Sequence, residues 1–229
     1  MKLSVIIPVY NEQSTIEEVI HRVLAVPLEM EREIIVADDG SCDGTAEILK
    51  ACEAKHGITV CRVPSQQGKG AAVRLGLQHA QGDVIVIQDA DLEYLPEDYP
   101  RLLEPILSGR SDVVYGSRFL QPLSPPRLTT VLANRVIVAV TNLLYGSRLT
   151  DVDTGHRAFR AAAIKPLPLE ANGFDIEAEM TAKLLLRRCP IVEVPISYCP
   201  RNVRQGKKIR WWDGLTILYR LLTCRVNLP

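Results

Sequence analysis

Short β-branched runs recur along this chain between longer segments of helical spacing, and each run ends in a polar turn. Residues 3–7, 34–37, 59–63 and 84–87 are such runs, and Val84-Ile85-Val86-Ile87 is the purest. Continuous apolar strands of this kind are buried on both faces, which requires a mostly parallel sheet sandwiched between helices. The intervening segments supply those helices. Residues 14–26 place Ile16, Val19, Ile20, Val23 and Leu24 on one stripe, Asp43-Gly44-Thr45 starts a second helix, and Gln67-Gly68-Lys69-Gly70 opens a third through His79. A helix over 96–107 and a strand over 112–115 continue the alternation. Pro8 is expected to stop the first strand. The pattern predicts an α/β chain with right-handed crossovers, whose ligands bind beyond the carboxyl ends of the strands.

Three polar signatures fall at that edge: 8–12, 38–41 and 89–93. Asp89, Asp91 and Glu93 alternate after the fourth strand. In an extended segment, alternate side chains point the same way, so the three carboxylates are expected to converge. Like charges held that close need a compensating cation, and hard oxygen donors suit Mg²⁺ or Mn²⁺ shared with phosphates. The alternative is an exposed acidic turn leading into Pro96. Asp38-Asp39-Gly40-Ser41 has two readings of equal weight: acceptors for a base N–H and ribose hydroxyls, or a helix-capping turn. No GxGxxG follows the first strand and no GxxxxGK[ST] occurs, so neither a dinucleotide fingerprint nor a P-loop is present.

The motifs Val5-Ile6-Ile7-Pro8-Val9-Tyr10-Asn11-Glu12, Asp38-Asp39-Gly40-Ser41, Gly68-Lys69-Gly70 and Asp89-Ala90-Asp91 resemble, in order and spacing, the family 2 glycosyltransferases of GT-A fold. More narrowly, the chain is similar to the branch containing dolichyl-phosphate mannose and glucose synthases. The resemblance spans residues 3–212 and is densest up to Arg118. It implies a Rossmann-like sheet with Pro8, Tyr10, Asn11, Glu12, Asp38, Asp39, Gly68, Lys69 and Ala90 contacting a nucleotide-sugar donor. Asp89, Asp91 and Glu93 would hold Mg²⁺ or Mn²⁺. Asp89, Asp91 and Arg118, the last within Gly116-Ser117-Arg118, would act at the reacting end of the donor. His156 stands where relatives more often carry an aromatic residue.

The remaining third is uneven. Residues 121–126 form a proline-rich loop. Residues 128–145 read as an apolar helix in which Arg135 is the sole central charge, either capping a helix face or contacting an anion. In the polar block 151–160, Asp153 and Arg157 are candidate acceptor- or phosphate-binding groups. Arg201, Arg204, Lys207, Lys208 and Arg210 crowd one stretch ahead of Trp211-Trp212 and an amphipathic segment over 215–222. Basic residues beside tryptophans and a short apolar helix suggest an anionic lipid surface, with Lys207 and Lys208 near phosphates. The QxxRW pattern of processive synthases is not met.

Composition sets the outer bounds. The 229 residues, 47% of them apolar, support one domain with a sizeable core, here 1–210, followed by a C-terminal amphipathic helix in 211–229. With 27 basic and 27 acidic residues, no global field recruits nucleic acid. Six scattered cysteines without metal spacing point to a reducing, cytoplasmic setting, peripheral to the membrane if lipid is bound. No apolar stretch reaches the roughly 18 residues that would span a bilayer.

The expected activity is metal-dependent, inverting transfer of a sugar from GDP-mannose or UDP-glucose to a polyprenyl or dolichyl phosphate. That acceptor is already anionic, so it needs alignment rather than a base. The alternative is a soluble transferase acting on a saccharide hydroxyl, which needs a general base. A requirement for a separate membrane-protein subunit is left open.

Overall fold

The computed structural model describes residues 1–120, 128–201 and 211–226. Seven strands form one sheet in the order β3-β2-β1-β4-β6-β5-β7. They are β1 (Lys2–Val9), β2 (Glu31–Asp38), β3 (Thr59–Arg62), β4 (Val84–Ile87), β5 (Val113–Ser117), β6 (Arg157–Arg160) and β7 (Ile191–Pro195). Of these, β6 alone runs against its neighbours, paired antiparallel to β4 and β5. The other pairings are parallel, with Ile6 opposite both Ile35 and Ile87.

Alternation along the strands sorts the core into two layers. Leu3, Val5 and Ile7 of β1, with Val84 and Val86 of β4, face α1 (Ile16–Ala25), α2 (Thr45–His56) and α4 (Tyr99–Leu107). Ile6, Ile85 and Ile87 face the opposite layer, α3 (Lys69–His79), α6 (Ala161–Ile164) and α7 (Ile176–Leu186). A side chain of this size contributes about 1.5–3 kcal/mol when fully buried. This explains why runs without a polar residue mark the centre of the sheet.

Pro8 does not stop β1; the strand continues to Val9 and pairs with β2 up to Asp38. Pro8 shares the parity of Ile6, whose carbonyl accepts the Gln88 N–H on the β4 side. β4 has ended by then, so the missing N–H of Pro8 removes no ladder bond.

A third cluster joins α5 (Leu128–Tyr145), α7 and α8 (Trp211–Val226) through Ile137, Ala178, Ala182, Ile217 and Leu221. The Arg220 guanidinium donates to Asp175 at 2.8 Å, and the Tyr145 hydroxyl donates to the Leu221 carbonyl at 2.5 Å. The C-terminal helix is therefore built into the domain through one face. All six cysteines are unpaired. Among the described residues no helix is long and apolar enough to cross a membrane.

Candidate active site

The strand ends and helix starts of the first half enclose a cleft of about 1060 Å³. Its walls include Pro8, Tyr10, Asn11 and Glu12 after β1, Asp39 after β2, Gly68 and Lys69 opening α3, and Asp89, Ala90, Asp91 and Glu93 after β4. Asn11 takes a left-handed conformation (φ 49°), which asparagine tolerates better than most residues. Its N–H donates to Ser41 Oγ and its side-chain oxygen accepts the Cys42 N–H, which ties the two loops together.

The Asp38–Asp39 pair divides its work. Asp38 lies beneath the cleft wall rather than on it, 1% exposed, accepting the Ser41 N–H and facing Arg62 at 3.2 Å. It closes a tight turn rather than capping α2, which starts at Thr45 after its N-cap Gly44, and it lies outside the cleft lining. Asp39 does line the cleft, yet its two oxygens accept the Gln67 and Gly68 N–H groups at 2.8 Å. This bridge fixes the entry of α3. Gly68 sits at φ 112°, where a Cβ would stand 2.3 Å from the Asn172 carbonyl oxygen. Only glycine brings α3 this close to the loop that precedes α7.

The acidic stretch departs from the extended segment expected of it. β4 ends at Ile87, the chain turns at Ala90-Asp91, and Leu92 adopts a left-handed conformation (φ 61°), so the alternation is broken between Asp89 and Asp91 and again before Glu93. The carboxylates consequently meet different partners. Asp89 pairs with Lys69 Nζ at 2.7 Å and Asp91 with Arg201 at 2.9 Å. Glu93 accepts the Tyr198 hydroxyl and the Arg201 N–H, and so anchors the chain after β7. Among the described residues no three His, Cys, Asp or Glu side chains stand as a ready metal cage.

The chemistry of the cleft nevertheless fits a divalent ion. Among the described residues, eight carboxylates line it (Glu12, Asp39, Asp89, Asp91, Glu93, Asp153, Glu177 and Asp213), against three cations, Lys69, Arg118 and Arg201. Burial first, and then the charge of Asp89, pushes the Asp91 carboxyl up to about 7. Asp89 and Asp91 supply the hard oxygen donors that such an ion takes.

Lys69 also reaches Glu177 at 2.6 Å, across from α7. Burial works against its ammonium, but Asp89 and Glu177 outweigh it and hold the pKa above the ordinary lysine value. Asp153 Oδ1 is buried without a hydrogen-bond partner. Burial, and then Glu177, raise that carboxyl to about 8. His156 is fully buried against Tyr94 and Tyr99, and neither ring nitrogen has a partner; burial depresses its pKa to about 3.

The arginines separate by partner. Arg118 reaches the cleft wall but is bound twice by Asp151, both contacts at 2.7 Å, and donates to the Asp153 carbonyl. It organises the 151–153 loop rather than presenting a free charge. Arg157 is 1% exposed and off the cleft; it donates to the Thr154, Glu177 and Val152 carbonyls and lies 4.3 Å from the Tyr115 ring centre. A role in binding phosphate is thereby replaced by one in the core. Arg135 is exposed on α5, outside the cleft lining, whereas Asn134 and Ile137 of that helix line it. Lys207 and Lys208 lie outside the described residues. Among the cleft residues that escaped sequence reasoning as site candidates are Arg201, Tyr198 and Glu177. Arg201 had one signal, its place in the basic cluster after β7.

Residues 4–167 match the family model described as glycosyl transferase family 2. The chain is 33% identical over 230 residues to a dolichol-phosphate mannosyltransferase of Pyrococcus furiosus, covering 97% of this chain and 64% of that protein. It is 31% identical over 231 residues to an undecaprenyl-phosphate 4-deoxy-4-formamido-L-arabinose transferase of Edwardsiella ictaluri, covering 99% of this chain and 69% of that one. Among solved structures, glucosyl-3-phosphoglycerate synthase from Mycobacterium tuberculosis, in complex with Mn²⁺, UDP and phosphoglyceric acid, superposes with a TM-score of 0.75. The identity is 26%, over 100% of this chain and 79% of that one.

Proposed function

Because the chain belongs to glycosyl transferase family 2, we propose that it moves a sugar from a nucleotide-sugar donor, GDP-mannose or UDP-glucose, to a polyprenyl or dolichyl phosphate. The observation that carries the lipid acceptor is the distribution of exposed apolar side chains. Of eleven large ones among the described residues, eight lie on α5 and α8: Leu132, Val136, Leu143, Trp212, Leu215, Tyr219, Leu222 and Val226. Those two helices also line the cleft, through Ile137 of α5 and Ile217 of α8. Exposed apolar side chains gathered on two helices that also line the cleft, Trp212 among the lining, suit a polyprenyl chain or the membrane that carries it. The names of the two polyprenyl-phosphate relatives point the same way.

The residues divide the task. Tyr10, Asn11, Glu12 and Asp39 form the wall for the nucleotide, and Lys69 orients Asp89 from below. Asp89 and Asp91 would hold Mg²⁺ or Mn²⁺, which neutralises the charge developing on the departing diphosphate. The acceptor phosphate oxygen is already anionic, so the chain has only to align it opposite the leaving group, and inversion follows. The exposed faces of α5 and α8 support a peripheral position at a membrane, and the six unpaired cysteines support its cytoplasmic side.

A second reading, transfer to a soluble hydroxyl acceptor, has one observation in its favour. Asp153, a carboxyl in the cleft wall with an unpartnered oxygen and a raised pKa, is suited to general-base work. The two readings separate on where labelled sugar goes when polyprenyl phosphate and a saccharide are offered together. The lipid reading requires label in the organic phase and its loss in Asp91→Ala.

A further inference from the structure

Arg201 spans two loops that the sheet brings together. Its two terminal nitrogens reach Glu12 at 3.0 and 3.1 Å, and one of them also reaches Asp91 at 2.9 Å. The side chain is 14% exposed, and its buried Nε has no hydrogen-bond partner. An arginine fork is strongest when each N–H meets an oxygen in its own plane. Here the two terminal nitrogens grip Glu12 end-on, one of them is shared with Asp91 on a separate loop, and Nε is left over. The other cleft cations among the described residues are committed elsewhere, Lys69 to Asp89 and Glu177, and Arg118 to Asp151. Among the described residues, Arg201 is the cation paired with Asp91.

Asp91 is buried and also lies in the field of two further carboxylates, Asp89 and Glu93. Two cations cannot both neutralise it at close range without repelling each other. A divalent ion binding at Asp89 and Asp91 must therefore displace Arg201 or share Asp91 with it. A diphosphate arriving at the same place supplies a replacement anion for the released guanidinium.

We propose that Arg201 is a resident counter-cation of the donor site, competing with a divalent ion for Asp91 until a diphosphate gives it another partner. The inference rests on the reading of this cleft as a metal–nucleotide site. It makes metal and nucleotide binding cooperative, and linkage makes that coupling reciprocal. Metal alone binds weakly, because it must break the Glu12–Arg201–Asp91 bridge; metal with nucleotide binds well. Arg201 is thus a positioning residue that keeps Asp91 ordered and ties the ion to the arrival of donor.

Mn²⁺ binding, followed by the electron paramagnetic resonance signal of the free ion, tests this without turnover. Mn²⁺ is titrated into the full chain and into Arg201→Gln, with and without GDP or UDP. The expected result is that Arg201→Gln binds Mn²⁺ alone about tenfold more tightly than wild type, while the gain in affinity that nucleotide confers shrinks by a similar factor. Arg201→Lys keeps one charge but loses the fork. It should fall between the two, which carries the test if the glutamine variant folds poorly. Unchanged or weaker binding of Mn²⁺ alone by both variants overturns the proposal. If wild type bound no Mn²⁺ even with nucleotide while Arg201→Gln bound the ion alone, the counter-cation would stand and metal-dependent transfer would fall.

Discussion

A Cβ placed on Gly155 would stand 2.0 Å from Asp89 Oδ2. The glycine is there because the cleft carboxylate occupies the space of a side chain. Gly155→Ala should therefore push Asp89 off Lys69 and weaken Mn²⁺–nucleotide binding. The thermal midpoint should move little; a large fall in the midpoint with unchanged nucleotide affinity would contradict this placement.

The neighbouring His156 acts on stability instead. Its folded pKa of about 3 lies below the ordinary 6.5. The stability it contributes is complete above pH 6.5 and is lost as pH falls towards 3. Relative to pH 7, wild type should lose about 2 kcal/mol at pH 5 through this group alone. His156→Phe should abolish that increment, as urea midpoints at the two pH values would show. The phenyl ring also leaves no nitrogen unpartnered, so the variant should be at least as stable at pH 7.

At this scale the sequence was a partial guide. Carboxylates at the ends of apolar strands announce themselves, because buried strands leave their polar residues at the rim. Nothing in Ala90, Asp91 or Leu92 announces the turn that starts there, so the separate partners of Asp89, Asp91 and Glu93 could not be read. Nor does an arginine beside a polar block reveal whether it faces phosphate or, as Arg157 does, three backbone carbonyls and an aromatic ring.

Among the elements, α8 has two faces with opposite duties. Ile217 and Leu221 are buried against α5 and α7, whereas Leu215, Tyr219 and Leu222 are exposed. Leu221→Ala should cost about 2–5 kcal/mol of stability, the usual range for a buried leucine. The triple change Leu215→Ser, Tyr219→Ser, Leu222→Ser should leave the denaturation midpoint nearly unchanged while reducing sedimentation with anionic-lipid vesicles. Equal vesicle binding by wild type and the triple variant would remove the lipid-facing role of this helix. Most helices and strands up to Tyr145 were legible within a residue or three, because apolar periodicity is a local signal; beyond it, β6 lies inside the stretch 151–160 that reads as polar, and α8 runs four residues past 215–222 at each end. The convergence of Glu12, Asp91 and Arg201 was not. Arg201 lies 189 residues from Glu12 and 110 from Asp91 in the chain. The strand order that joins them cannot be read from spacing.

Across the whole molecule, the parallel sheet gathers an acidic, metal-suited cleft at one edge, and α5 and α8 set an apolar surface beside it. The parallel sheet and the ligand edge followed from the sequence; the reversed β6 did not, since a four-residue strand carries no mark of direction. The central claim is that this arrangement serves a lipid phosphate, and acceptor choice tests it most directly. Purified protein with Mn²⁺ and labelled GDP-mannose or UDP-glucose is offered polyprenyl phosphate and a saccharide together, and label is counted in the organic and aqueous phases. The account predicts organic-phase label with one donor, abolished in Asp91→Ala and largely retained in Asp153→Asn, because an anionic acceptor needs no base. Label confined to the saccharide, and lost in Asp153→Asn, would contradict it.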